Sequence, residues 1–124
     1  MKRHENLSLL STEDIVQRFE QLCIEQYDAM DREELWRVNR LVWRIHALEM
    51  ELKSRPGDQR RLLRRFFGHS NMQVRLSAAH ANLAIDYPAA RREIQDIANS
   101  KWEAQCLDAG MTLINLDNGV YRPT

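Results

Sequence analysis

The chain has 124 residues, 44% of them hydrophobic, with four glycines and three prolines, a composition that suits one packed domain rather than a disordered chain. Eighteen Lys/Arg balance eighteen Asp/Glu, which leaves no basic or acidic tail, but the zero total hides a gradient: residues 1–54 carry −3, residues 55–92 +6 and residues 93–124 −3. No apolar run is long enough to span a bilayer, and Met1–Asn6 lacks a following apolar region of the kind a secretory signal needs, so a cytoplasmic protein is expected.

Residues 1–10 read as a frayed start, with Leu7, Leu9 and Leu10 able to fold back as a staple. Ser11 followed by Asp14 has capping-box spacing and opens a first helix, lined by Ile15, Phe19, Leu22, Cys23, Gln26 and Met30 and ending near Met30. Asp31 is expected to cap a second helix running to about Lys53, a length of about 33 Å. Leu35, Val38, Leu41, Val42, Ile45, Leu48 and Leu52 form its main stripe. Trp36, Trp43 and Met50 fall nearly opposite, with Arg40 and Ala47 between them. Two tryptophans carry much apolar area, so the expectation is burial of this second face; exposure would make it a contact strip, with Arg40 placed to stack on the rings.

Arg55-Pro56-Gly57 breaks the pattern, and Asp58 can cap the next helix. That third helix, Gln59–Phe67, should bury Leu62, Leu63, Phe66 and Phe67 and stop at Gly68. Wound as an α-helix, it turns Arg60, Arg61, Arg64 and Arg65 outward as i, i+4 pairs. Arg91 and Arg92 are candidates to extend that patch. Ser70 or Asn71 then caps a helix whose apolar residues point both ways: Val74, Ala78, Ala81 and Ile85 against Leu76, Ala79 and Leu83. Such a helix needs cover on most sides and belongs at the centre. Asp86-Tyr87-Pro88 turns the chain into a helix that buries Ala90, Ile94, Ile97 and Ala98. Ser100 with Glu103 suggests a capping box for the last helix, expected to bury Trp102, Cys106, Ala109, Gly110, Leu113 and Leu116. Gln105, Asp108, Thr112 and Asn115 make a polar line on its other side, and Asn118-Gly119 ends it. Tyr121 is placed to pack the tail.

The run Val74-Arg75-x-x-Ala78-Ala79-x-Ala81-x-Leu83 resembles the second helix of a HEAT repeat, with Leu62, Leu63, Phe66 and Phe67 matching an apolar first helix. Asn71 and Met72 depart from the aspartate and proline usual there. In long HEAT arrays the arginine, here Arg75, pairs with an acidic residue of the neighbouring repeat, a ladder that a chain with so few repeats can lack. Ala78-Ala79 and Ala109-Gly110 stand at matching places about 31 residues apart, a short HEAT-like period. Arg55-Pro56-Gly57-Asp58-Gln59-Arg60, Val74-Arg75-Leu76-x-Ala78-Ala79, Asp108-Ala109-Gly110-Met111-x-Leu113 and Arg122-Pro123 are similar to a small bacterial family whose function is unknown. Together with the longer, differently patterned helices before Arg55, these likenesses lead to an expected all-α fold of six helices in a single domain over residues 1–124: a long N-terminal hairpin (1–54) capping two HEAT-like helix pairs (55–124). They imply no chemistry.

No catalytic, metal or cofactor pattern stands out. His4, His46, His69 and His80 are scattered, no Cys-x-x-Cys or His-Glu-x-x-His occurs, and Cys23 and Cys106 read as buried thiols. His46 and Glu49 share a helix but lack the order and second copy that a helical-bundle metal site uses. No Gly-rich loop is present to hold phosphate. The function expected is therefore non-enzymatic: a protein-interaction module, with an antitoxin-like immunity protein binding a toxin or effector as one form. Its candidate contacts are Trp36, Arg40 and Trp43, the arginines Arg60, Arg61, Arg64, Arg65, Arg75, Arg91 and Arg92, and the polar line Asp108, Thr112 and Asn115. The alternatives are a nucleic-acid binder using the arginines, since HEAT-like DNA glycosylases show that such a fold can bind DNA, or an enzyme of unrecognised type.

Overall fold

Helix α1 (Thr12–Asp31) starts where a side chain can start it: Ser11, in extended conformation, accepts from the Asp14 N–H at 3.0 Å, and Glu13 and Asp14 sit at the positive end of the helix. The computed structural model describes residues 6–124, and its regular elements there are all helical. The fold is all-α with six helices, five α-helices and one 3-10 helix, preceded by a 3-10 turn at Leu7–Leu9. Of the segment expected to fray, residues 1–5 lie outside the described residues. Contacts divide the chain into two compact units, Met1–Leu62 and Leu63–Thr124.

In the first unit α1 packs on α2 (Leu35–Ser54), burying Ile15, Val16, Phe19, Leu22, Cys23 and Ala29 with Leu41, Ile45, Leu48 and Leu52. Asp31 does not cap α2, contrary to expectation: it is the last residue of α1. Glu33 takes a left-handed φ of 57°, its N–H donates to the Met30 carbonyl at 3.1 Å, and the Glu34 N–H reaches the Ala29 carbonyl at 2.9 Å. This is a Schellman stop with glutamate where glycine is usual. α2 then begins after Glu34 without any side-chain cap. Arg37 ties the turn instead, bonding Asp28 at 2.9 Å and Glu34 at 3.0 Å. At the other end Arg55 gathers Glu51, Thr12 Oγ1 and the carbonyls of Leu7 and Leu10, all within 3.0 Å. That clasp holds the Leu7–Leu9 turn to the hairpin.

The helix expected at Gln59–Phe67 is a 3-10 helix, Gln59–Phe66. Gly57 and Asp58 both have positive φ before it, 82° and 49°. At about three residues per turn, positions 60, 63 and 66 share one face. Arg60, Leu63 and Phe66 are accordingly the buried residues, while Leu62 and Phe67 are half-buried. Gly68, φ 77°, ends the segment as expected.

The second unit is built on α3 (Met72–Asn82), α4 (Tyr87–Ala98) and α5 (Glu103–Asp117), each packed on the other two. Asn71 caps α3 by accepting from the N–H groups of Gln73 and Val74; Asp86 caps α4 through Ala89. The core joins Met72, Leu76, Ala79 and Leu83 of the α3 segment, Ala90, Ile94 and Ile97 of α4, and Ala109 and Leu113 of α5, with Tyr121 packed beside them. Val74, Ala78 and Ala81 on the other side of α3 are buried too, so α3 is covered nearly all round, as its two-sided pattern required. The capping box expected at Ser100–Glu103 does not form: Trp102 precedes α5 without a side-chain cap, and the Ser100 hydroxyl donates to the Ile97 carbonyl at 2.6 Å.

Candidate interaction surfaces

On α2 the residues Trp36, Arg40, Trp43, Ala47 and Met50 follow one another at alternating steps of four and three, the spacing of a single helix seam. The expected burial of the tryptophans does not occur: Trp36 is 64% exposed and Trp43 72%. The physical reason is that α2 spends its apolar stripe on α1, and among the described residues nothing covers Trp36 and Trp43 on its outer side. Leu35 and Val42, expected on the inner stripe, fall at its edge and are exposed as well. Arg40 is exposed on the strip, and among the described residues it stacks on neither ring.

The arginines do not form a common outer face. Arg60 is buried and bidentate on Asp58, Nε to Oδ1 at 2.9 Å and a terminal nitrogen to Oδ2 at 2.7 Å, and this bonding holds the Asp58 carboxyl below its ordinary pKa. Arg61, Arg64 and Arg65 are exposed, and Arg64 reaches Asp86 at 3.3 Å. Arg75 on α3 pairs with Glu93 of α4 and lies 3.8 Å from Asp96; the same Glu93 carboxylate accepts the Gly68 N–H at 2.8 Å. Arg91 bonds Asp117 at 2.9 Å, and Arg92 is exposed.

The polar line of α5 faces α3, so Gln105 and Thr112 are buried rather than solvated. Two rungs join the helices at the same 32-residue separation: Gln105 Nε2 donates to Gln73 Oε1 at 3.1 Å, and His80 Nε2 lies 3.1 Å from Thr112 Oγ1. Thr112 also donates to the carbonyl of Asp108 at 3.0 Å, and the Asp108 carboxylate stands 3.8 Å from His80. Burial depresses the pKa of His80, with Asp108 opposing it. Asp108 itself is exposed, and Asn115 uses its carbonyl to hold the tail through the Val120 and Tyr121 N–H groups. This line fixes the register of α5 on α3.

Turning Gln105 and Thr112 inward turns other residues out. Trp102 is exposed, Cys106 and Gly110 are half-buried, and Leu107 (70% exposed), Met111 and Ile114 stand in solvent, a face that reading apolar residues as core does not find. A heptad count on α5 would have shown it. Cys23 is buried and Cys106 half-buried, and neither is in a disulfide. Among the described residues no group of His, Cys, Asp or Glu is placed to hold a metal ion, and no helix is long and apolar enough to cross a membrane.

The family described as "Domain of unknown function (DUF2019)" matches residues 13–117. The chain belongs to that family. This DUF2019 chain is also similar to a solved structure, the crystal structure of the protein RPA1889 from Rhodopseudomonas palustris CGA009. The two share 40% identity with a TM-score of 0.94, over 98% of this chain and 100% of that one. No curated protein matches the sequence.

Proposed function

We propose that this protein is a non-enzymatic protein-interaction module that engages its partner with the outer face of α2. One observation carries the reading: two tryptophans a heptad apart stand in solvent on a rigid hairpin whose other face is already packed. Aromatic side chains give up little conformational freedom on binding and supply much contact area, which is why they dominate binding energy where they occur. Arg40 and Arg44, exposed beside them, suit a partner with carboxylates around an apolar strip. The HEAT-like reading of the later helices fits this role. The pairing of Arg75 with Glu93 on the next helix supports that reading. An antitoxin-like immunity role is the special case in which the partner is a toxin. The nucleic-acid reading has less support, because Arg60, Arg64, Arg75 and Arg91 already hold carboxylates.

The test is capture from the native host with wild type and with Trp36→Ala, Trp43→Ala. Both side chains are exposed, so the double variant should keep wild-type stability within about 0.5 kcal/mol per site. It should lose the partner. A folded double variant that retains the same partner refutes the reading.

A further inference from the structure

The α5 face supplies what the α2 strip asks for. Ala104, Leu107, Met111 and Ile114 follow at steps of three, four and three, all exposed, and form a second single-helix seam. Glu103 and Asp117 flank it on one side and Asp108 on the other. The α2 seam of Trp36, Arg40, Trp43 and Ala47 carries Arg40 within it and Arg44 beside it. Arg40, Arg44 and Glu103 make no ion pair among the described residues, so these charges are available to an outside partner. The seams are of similar reach, about 21 Å from Trp36 to Met50 and about 15 Å from Ala104 to Ile114. Beside the α5 seam Gly110 leaves bare backbone: a methyl added there would meet nothing within 4 Å. With Ala104 it gives a large aromatic ring room to settle.

Resting on the interaction reading above, we infer that the partner of the α2 strip is a second copy of this chain, which docks through its α5 face. Charge decides the pairing. α2 against α2 would set Arg40 and Arg44 against themselves, and α5 against α5 would do the same with Glu103 and Asp108; only the unlike pair is complementary. An interface between two different faces does not close on itself as a two-fold dimer does. Each copy keeps one unused face, so assembly continues past the dimer unless a ring forms. Part of the attraction is between exposed charges, so added salt weakens it.

Sedimentation velocity on the full chain reads this directly. Mass should rise with concentration and fall at high salt. Arg40→Glu with Trp43→Ser should raise the self-association Kd at least about tenfold, and so should Leu107→Ser with Met111→Ser. Each variant alone should therefore run as a monomer. Mixed in equal amounts they should give a one-to-one dimer and nothing larger, because one good α2 face and one good α5 face remain. If the serine variant of α5 fails a circular-dichroism check for folding, Glu103→Lys reads the same face. A wild type that stays monomeric up to about 0.5 mM at low salt overturns the inference, as does a mixture of the two variants that stays monomeric. In that case capture of a foreign protein dependent on Trp36 and Trp43 would leave the interaction reading standing, and its absence would remove both.

Discussion

Glu93 is the residue whose loss should be felt most for its size. Its carboxylate takes the Arg75 guanidinium from α3 and the Gly68 N–H from the loop before α3, and both charged side chains are mostly buried, 12% exposed for Glu93 and 20% for Arg75. Glu93→Ala leaves that guanidinium without its main partner. Breaking a fully buried pair costs about 3–5 kcal/mol, chiefly through the charge left behind. Two features reduce the figure here: Asp96 remains 3.8 Å from Arg75, and the Gly68 N–H sits on an exposed loop where water can replace the carboxylate. The expected loss is about 1.5–3 kcal/mol, a fall in Tm of roughly 5–12 °C for a chain of this size. Urea unfolding followed by far-UV circular dichroism measures it. Removing both charges, as Glu93→Leu with Arg75→Met, should cost less than the two single changes added together, with a coupling of about 1–2 kcal/mol. A loss under about 0.5 kcal/mol for Glu93→Ala, or simple additivity, would show that the pair is solvated and that the reasoning fails.

Ala79 is fully buried in the core between α3, α4 and α5, so Ala79→Leu should overpack it and cost about 1–3 kcal/mol, measured in the same unfolding experiment. Glu33→Gly should stabilise the protein by about 0.5–1 kcal/mol, since glycine takes the left-handed φ of 57° without the cost a side chain brings; an unchanged or lower Tm would count against strain at that turn. The pKa of His80 is depressed below 6.5 in the folded protein, so the unfolded chain binds the proton more readily, and His80 contributes stability above about pH 6.5 that is lost as pH falls through the folded value. Stability of wild type should drop more steeply than that of His80→Gln between about pH 7 and about pH 5, and parallel curves would exclude His80 as the cause.

What could be read in the sequence was what local chemistry decides. Ser11 and Asn71, the latter one of two candidates with Ser70, act as caps because a short polar side chain beside a free N–H needs no distant help, and the two-sided apolar pattern of α3 places it centrally whatever surrounds it. Failures came where a distant partner or an unmarked backbone state decides. Nothing in Glu33 announces a left-handed stop, so Asp31 was the reasonable cap for α2. The apolar spacing of Leu62, Leu63, Phe66 and Phe67 fits an α-helix as well as the 3-10 helix that forms, and only the tighter winding puts Arg60 inside. On α5 the expected core face is displaced because Gln73 and His80 of α3 offer partners to Gln105 and Thr112, which pulls the polar line in and leaves Trp102 exposed and Cys106 half-buried. The tryptophans follow the same lesson: their area argued for cover, but cover has to be supplied by another element.

The Arg55 clasp has a consequence for the order in which the first unit assembles. α1 and α2 are neighbours in sequence and form a hairpin by short-range contacts, which close quickly. Arg55, by contrast, reaches Thr12, Leu7 and Leu10 across 43, 48 and 45 residues, and its acceptors come into range only once both helices lie side by side. The clasp therefore forms late, after the rate-limiting barrier, and acts as a latch on unfolding rather than as a guide to folding. Arg55→Met should speed the unfolding limb of a chevron and leave the refolding limb where it was. A slowed refolding limb would mean instead that the latch closes before the hairpin has settled.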